Sequence, residues 1–116
     1  MALFLDARIK LRIGTAAEAD PAAALLVEGE VSVPAGVAHA RFVLPQAAGH
    51  GIGCACCLSR GPVAEALSRL FLQRVRGEIP HFAEIVAVPA GAQGVAAIRA
   101  ALQNDPVVFA RFRLAE

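Results

Sequence analysis

The segment from Phe82 to Val88, Phe-Ala-Glu-Ile-Val-Ala-Val, constrains the fold of this chain most, because six of its seven residues are apolar. A strand of this kind must be covered on both faces, which is typical of the interior of a parallel sheet. Parallel neighbours need long crossover connections, which usually contain a helix. The segment therefore predicts a domain in which strands and helices alternate.

Four other segments show the pattern of strands. Leu3–Ile13 and His39–Leu44 alternate apolar and polar side chains, as half-buried strands do. Glu30–Val33 is a short candidate strand that ends before Pro34. Val107–Leu114 alternates as well and favours a terminal strand, although a helix is an open alternative for this segment.

Three segments predict helices. Asp20 is a suitable N-cap residue and Pro21 a suitable first helical residue. Together they predict a short helix from Pro21 to about Glu28. Gly61-Pro62 opens a longer amphipathic helix that ends at Gly77, and Gly94–Gln103 forms a further one. The alternation predicts an α/β fold with a mixed or partly parallel sheet flanked by helices.

Length and charge limit the classes of protein to which the chain can belong. Its 116 residues, 57% of them hydrophobic, suit a single α/β domain spanning 1–116. A net charge of +1 argues against an electrostatic nucleic-acid binder, which needs clustered basic residues. No segment has the uninterrupted hydrophobicity of a signal peptide or a membrane helix, so neither secretion nor a membrane partner is expected.

The cysteine cluster is the one chemically reactive stretch of the sequence. Cys54, Cys56 and Cys57 lie within four residues, in a glycine-rich loop that also contains His50. A disulfide framework spreads its cysteines along the chain, so this cluster favours a reduced, cytoplasmic setting. Three close thiols suit zinc or a similar transition metal, with His50, a carboxylate or water as a fourth ligand.

Two other interpretations of the cysteines stay open. Free cysteines often pack as small buried apolar residues, and a reactive thiol needs a nearby base. The three histidines His39, His50 and His81 are the candidate bases for such a thiol. No spacing in the sequence selects one of them.

From Gly53 onward, the chain resembles the CobW-like metal-associated P-loop GTPases, whose Gly-Cys-x-Cys-Cys motif follows a strand and precedes a helix. Gly53, Cys54, Cys56 and Cys57 match that motif. The matches that follow are a helix at Val63–Leu72, a strand at Phe82–Ala87, Gly91, Asp105-Pro106 and Phe112-Arg-Leu114. The resemblance covers about 65 residues and implies a truncated P-loop-NTPase-like fold with a metal-binding cysteine loop.

The chain also departs from that family. The Gly-x-x-x-x-Gly-Lys-Ser/Thr loop is missing, and the sole lysine, Lys10, lies within a predicted strand. Val88 stands where the family has an acidic residue after the core strand. Without these parts a GTPase cannot hold magnesium or offset phosphate charge, so no nucleotide is expected.

These features predict a non-catalytic accessory protein that binds zinc or a similar metal through Cys54, Cys56 and Cys57, with His50 as a weaker candidate. Its expected partners are the metal ion and either a second copy or another protein, with no nucleic acid. One alternative is an oligomerising interaction module with inert cysteines. Others are a nucleotide-binding remnant and an enzyme that uses a cysteine thiol.

Overall fold

The computed structural model describes residues 7–18, 20, 22–44 and 61–115, which form five strands and three α-helices. The strands are β1 (Ile9–Ile13), β2 (Ala24–Glu28), β3 (His39–Phe42), β4 (Glu84–Val88) and β5 (Phe112–Leu114). The helices are α1 (Pro62–Val75), α2 (Ala92–Asn104) and α3 (Pro106–Arg111), and a single 3-10 turn spans Ala16–Glu18. This α/β architecture confirms the predicted fold class.

The five strands form one sheet in the order β3-β2-β4-β1-β5, and every neighbouring pair is parallel. The sheet is therefore more regular than the mixed or partly parallel one expected from the sequence. As predicted, β4 is interior, with β1 on one side and β2 on the other. Its residues Ile85, Val86 and Ala87 are completely buried.

The connections between strands divide between the two faces of the sheet. The three helices pack on one face, where Leu67, Ile98 and Val108 join the main apolar core. The β1–β2 and β2–β3 connections contribute Ala16, Val33 and Val37 to a smaller cluster on the other face. Connections that lead toward β3 thus use one face and those that lead toward β5 use the other, as a constant crossover hand requires.

Helix α1 begins and ends where the sequence predicts. Pro62 occupies the first turn, where its missing N–H removes no helical hydrogen bond. At the other end, Gly77 has a φ of 74°. Its amide donates to the carbonyl of Arg74 at 3.2 Å, and the Glu78 amide donates to Gln73 at 2.9 Å, which closes a Schellman motif.

The helix predicted from Pro21 to Glu28 is wrong, because Ala24–Glu28 forms strand β2. Asp20 does act as a cap, but of a turn: its side chain accepts from the Ala22 amide at 2.8 Å. Leu25, Leu26 and Val27 are buried on alternate faces of the sheet. Burial on both faces therefore outweighs the local helix signals.

Two further predictions need correction. The strand predicted at Glu30–Val33 does not form, since this segment belongs to the β2–β3 connection. The terminal strand predicted over Val107–Leu114 is shortened to β5, because α3 occupies its first part. Asp105 caps α3 by accepting from the amides of Val107 at 3.0 Å and Val108 at 3.1 Å, and Pro106 follows as the first helical residue.

Candidate functional site

The sheet has a point at which the connections of adjacent strands diverge. The connection after β2 leads to β3, whereas the connection after β4 leads past β1 to β5. In open parallel sheets, such a switch point creates a crevice at the carboxyl ends of the strands, and ligands bind there. The topology therefore locates a candidate site between the ends of β2 and β4.

The carboxylate of Glu28 occupies this position. Glu28 is the last residue of β2, and its Oε1 accepts a hydrogen bond from the Ala90 amide at 2.7 Å. The same oxygen lies against Gly94 in the first turn of α2, in space that a Cβ at that position would need. Gly94 thus permits the carboxylate to reach the start of the helix.

The electrostatics of α2 explain why an acidic residue suits this place. The exposed amides at a helix N-terminus carry partial positive charge, which a carboxylate stabilises. Helix α2 has Gly91 as its N-cap residue, with no side-chain cap and no acidic residue in its first turn. Glu28, which is distant in sequence, provides the missing negative charge.

The proposed metal ligands Cys54, Cys56, Cys57 and His50 lie outside the described residues. The residues immediately before and after that segment are described. Leu44 follows the carboxyl end of β3, and Gly61 precedes α1. Strand β3 thus precedes the segment that contains the cysteine motif, and helix α1 follows it.

The other two histidines lie at the opposite edge of the sheet from the switch point. His39 is exposed at the beginning of β3, and its Nδ1 is 3.0 Å from the carbonyl oxygen of Val37. His81 precedes β4, and its Nε2 is 3.4 Å from an Nη of Arg74. Both therefore lie at the end of the sheet where the parallel strands begin, here called the amino edge. The fold does not bring either of them to Glu28.

Lys10 lies within β1, as the sequence predicts, and pairs in register with Glu84 of β4. Its Nζ is 4.0 Å from the Glu84 carboxylate, and Arg12 is 3.5 Å from the same oxygen. Lys10 therefore belongs to an ion-pair group on the middle of the sheet. Val88 ends β4 beside the switch point. It stands at the position where the resembled family has an acidic residue.

Among residues 7–18, 20, 22–44 and 61–115, no cluster of three or more His, Cys, Asp or Glu side chains is arranged to hold a metal ion. In the same part of the chain, no helix has the length and hydrophobicity needed to cross a membrane. Comparison with known protein families, curated proteins and solved structures gave no match.

Sequence reasoning missed Glu28 as a site residue because it assigned Glu28 to the end of a helix. A relevant signal is present in the Val27-Glu28-Gly29 sequence, in which an acidic residue ends an apolar run just before a glycine. The Pro89-Ala90-Gly91 loop after β4 supplies the other half of the site. Only the adjacency of β2 and β4 brings these two halves together.

Proposed function

We propose that this chain is a metal-binding accessory protein of the cytoplasm that resembles a degenerate CobW-like domain. Its ligands for zinc or a similar transition metal are Cys54, Cys56 and Cys57, with His50 as a weaker fourth candidate. The Gly-Cys-x-Cys-Cys motif between strand β3 and helix α1 carries this proposal. A site with three thiolates and one exchangeable ligand suits transfer of a metal to a partner.

The described fold supports the proposal in two ways. A parallel α/β sheet is the architecture that the resemblance implies, and helix α1 and strand β4 follow the cysteine segment in the expected order. The carboxylate of Glu28 also fills the position at the start of α2 that a bound anion would take. A phosphate at the start of α2 must displace Glu28, so this helix end is not an open anion site.

Elemental analysis of the untagged protein, purified under reducing conditions, tests this function. We expect about one transition-metal ion per chain in the wild type and none in a Cys54→Ala/Cys56→Ala/Cys57→Ala variant. His50→Ala should lower retention of the metal during dialysis against a chelator. His39→Ala is the matched control, because His39 lies at the amino edge of the sheet and should leave retention unchanged.

A wild type that holds no metal, even after reconstitution, overturns the proposal. Equal metal content in the triple variant also overturns it, because other residues must then bind the ion. Circular dichroism of each variant establishes that the comparison is made between folded proteins. These outcomes separate ligand loss from loss of structure.

A second candidate is an interaction module whose cysteines are inert. The observation that favours it is an exposed part of the sheet face opposite the helices. On this face the side chains of Lys10 and Arg12 are 45% and 36% exposed. In this candidate function, a second copy or another protein binds to this face. Light scattering distinguishes this candidate: a concentration-independent monomer with no metal-dependent assembly removes its support.

A further inference from the structure

The amino edge of the sheet assembles arginines on aromatic rings. Three pairs share this arrangement: Arg8 over Phe109 at 5.1 Å, Arg74 over Phe82 at 5.3 Å, and Arg111 over Phe71 at 4.1 Å from the ring centre. A guanidinium stacked on a ring keeps its N–H groups directed outward in its own plane. The near-neutral chain thus concentrates positive charge at one place.

The three arginines line a single cavity of about 500 Å³. Its apolar wall includes Ile9, Phe71 and Ala110, and no acidic side chain is among its described lining residues. The volume lies within the range of small-molecule sites, about 300–1,000 Å³. Cavities of this kind bind ligands that combine a charged group with an apolar part.

Two of these arginines are also anchored to the backbone. The Arg74 Nε donates to the Phe82 carbonyl at 2.8 Å, and Arg8 donates from Nη1 to the Phe109 carbonyl at 3.1 Å. Stacking and hydrogen bonding together fix the directions of these side chains. Binding of a ligand to these ordered arginines therefore costs less side-chain entropy than binding to flexible lysines.

We propose that the cavity bounded by Arg8, Arg74 and Arg111 binds a phosphate group. The planar fork of a guanidinium matches two phosphate oxygens, and several forks around one cavity match a dianion. Three cationic side chains around one cavity also attract an anion by their combined charge. The apolar wall favours a phosphate monoester that carries a small apolar group.

Isothermal titration calorimetry at constant ionic strength tests the proposal with inorganic phosphate and phenyl phosphate as probes. We expect phenyl phosphate to bind, with affinity at least about tenfold weaker in Arg74→Gln and in Arg111→Gln. Arg76→Gln is the matched control: Arg76 is an exposed arginine at the same end of α1 and is not among the lining residues. Its affinity should stay within about twofold of the wild type.

Arg111→Lys provides a second measurement that does not depend on loss of charge. It keeps the cation and removes the planar fork, so we expect an affinity between those of the wild type and Arg111→Gln. Tighter binding of phenyl phosphate than of inorganic phosphate identifies an organic monoester as the ligand class, whereas equal binding identifies the free ion. Absence of binding by both probes overturns the proposal, as does an equal loss in Arg76→Gln.

Discussion

At the scale of single residues, Glu28 has the most instructive role. Its carboxylate ends a buried strand, accepts from the Ala90 amide and compensates for the missing cap of α2. Gly94 is needed beside it because the carboxylate takes the space of a Cβ. Glu28 and Gly94 therefore form one interacting pair across the switch point.

We expect Glu28→Ala to lower the free energy of unfolding by about 1–2 kcal/mol, because the Ala90 amide loses its acceptor and the α2 N-terminus loses a nearby negative charge. Glu28→Gln should cost less, since it keeps an oxygen acceptor and loses only the charge. Urea denaturation measures both effects. Glu30→Ala is the control on a nearby exposed acidic residue and should change stability by less than about 0.5 kcal/mol.

The same pair predicts energetic coupling. Gly94→Ala should displace the Glu28 carboxylate in the wild-type background and break its hydrogen bond. In a Glu28→Ala background this loss has already occurred and only the 3.0 Å contact with Pro89 Cβ remains, so the alanine should cost less. A double-mutant cycle measures the difference. Strict additivity of the two substitutions would contradict the contact between Glu28 and Gly94.

At the scale of elements, the sequence predicts the parts whose local signals agree with their burial. Helix α1 has a proline at its start, a glycine after its end and a buried stripe at helical spacing, and all three lead to the same conclusion. The segment of β4 is apolar on both faces and is predictable for a similar reason. Both elements were found where expected.

Prediction failed where local signals and burial disagree. Asp20 and Pro21 imitate a helix start, whereas the following Leu25–Val27 segment is buried between β3 and β4. The Glu28 site was missed because its segment was assigned to a helix. In addition, its partner Ala90 is 62 residues away and meets it only through strand pairing. No local pattern contains that information.

Asp105 offers a test at this scale, because it decides whether the last segment begins as a helix. Asp105→Ala should cost about 0.5–2 kcal/mol, since the amides of Val107 and Val108 lose their shared acceptor. Asp105→Asn keeps an acceptor oxygen and should cost less. Asn104→Ala, at the neighbouring exposed position, is the control in thermal denaturation and should be nearly neutral.

At the scale of the whole molecule, the helices cover one face of the sheet and the strand connections partly cover the other. Among the described strands, the order β3-β2-β4-β1-β5 leaves β3 and β5 as edges and gives β2, β4 and β1 two neighbours each. Central strands of this kind open only when the whole domain unfolds. Edge strands open locally at lower cost.

Hydrogen exchange checks this arrangement. The amides of Ile85–Ala87 in β4 should exchange most slowly, at rates that follow global unfolding. Amides of β5, which spans three residues at an edge, should exchange several-fold faster. Protection in β5 equal to that in β4 would show that another partner covers this edge.

We propose that the three cysteines between β3 and α1 bind a metal ion through their thiolates. Titration of the reduced, metal-free protein with cobalt(II), followed by absorption spectroscopy, tests it most directly, because cobalt reports both thiolate bonding and coordination geometry. We expect an intense thiolate-to-cobalt charge-transfer band that saturates at about one ion per chain, is abolished in the triple cysteine-to-alanine variant and is reversed by zinc. A spectrum that stays that of hydrated cobalt throughout the titration would contradict the claim.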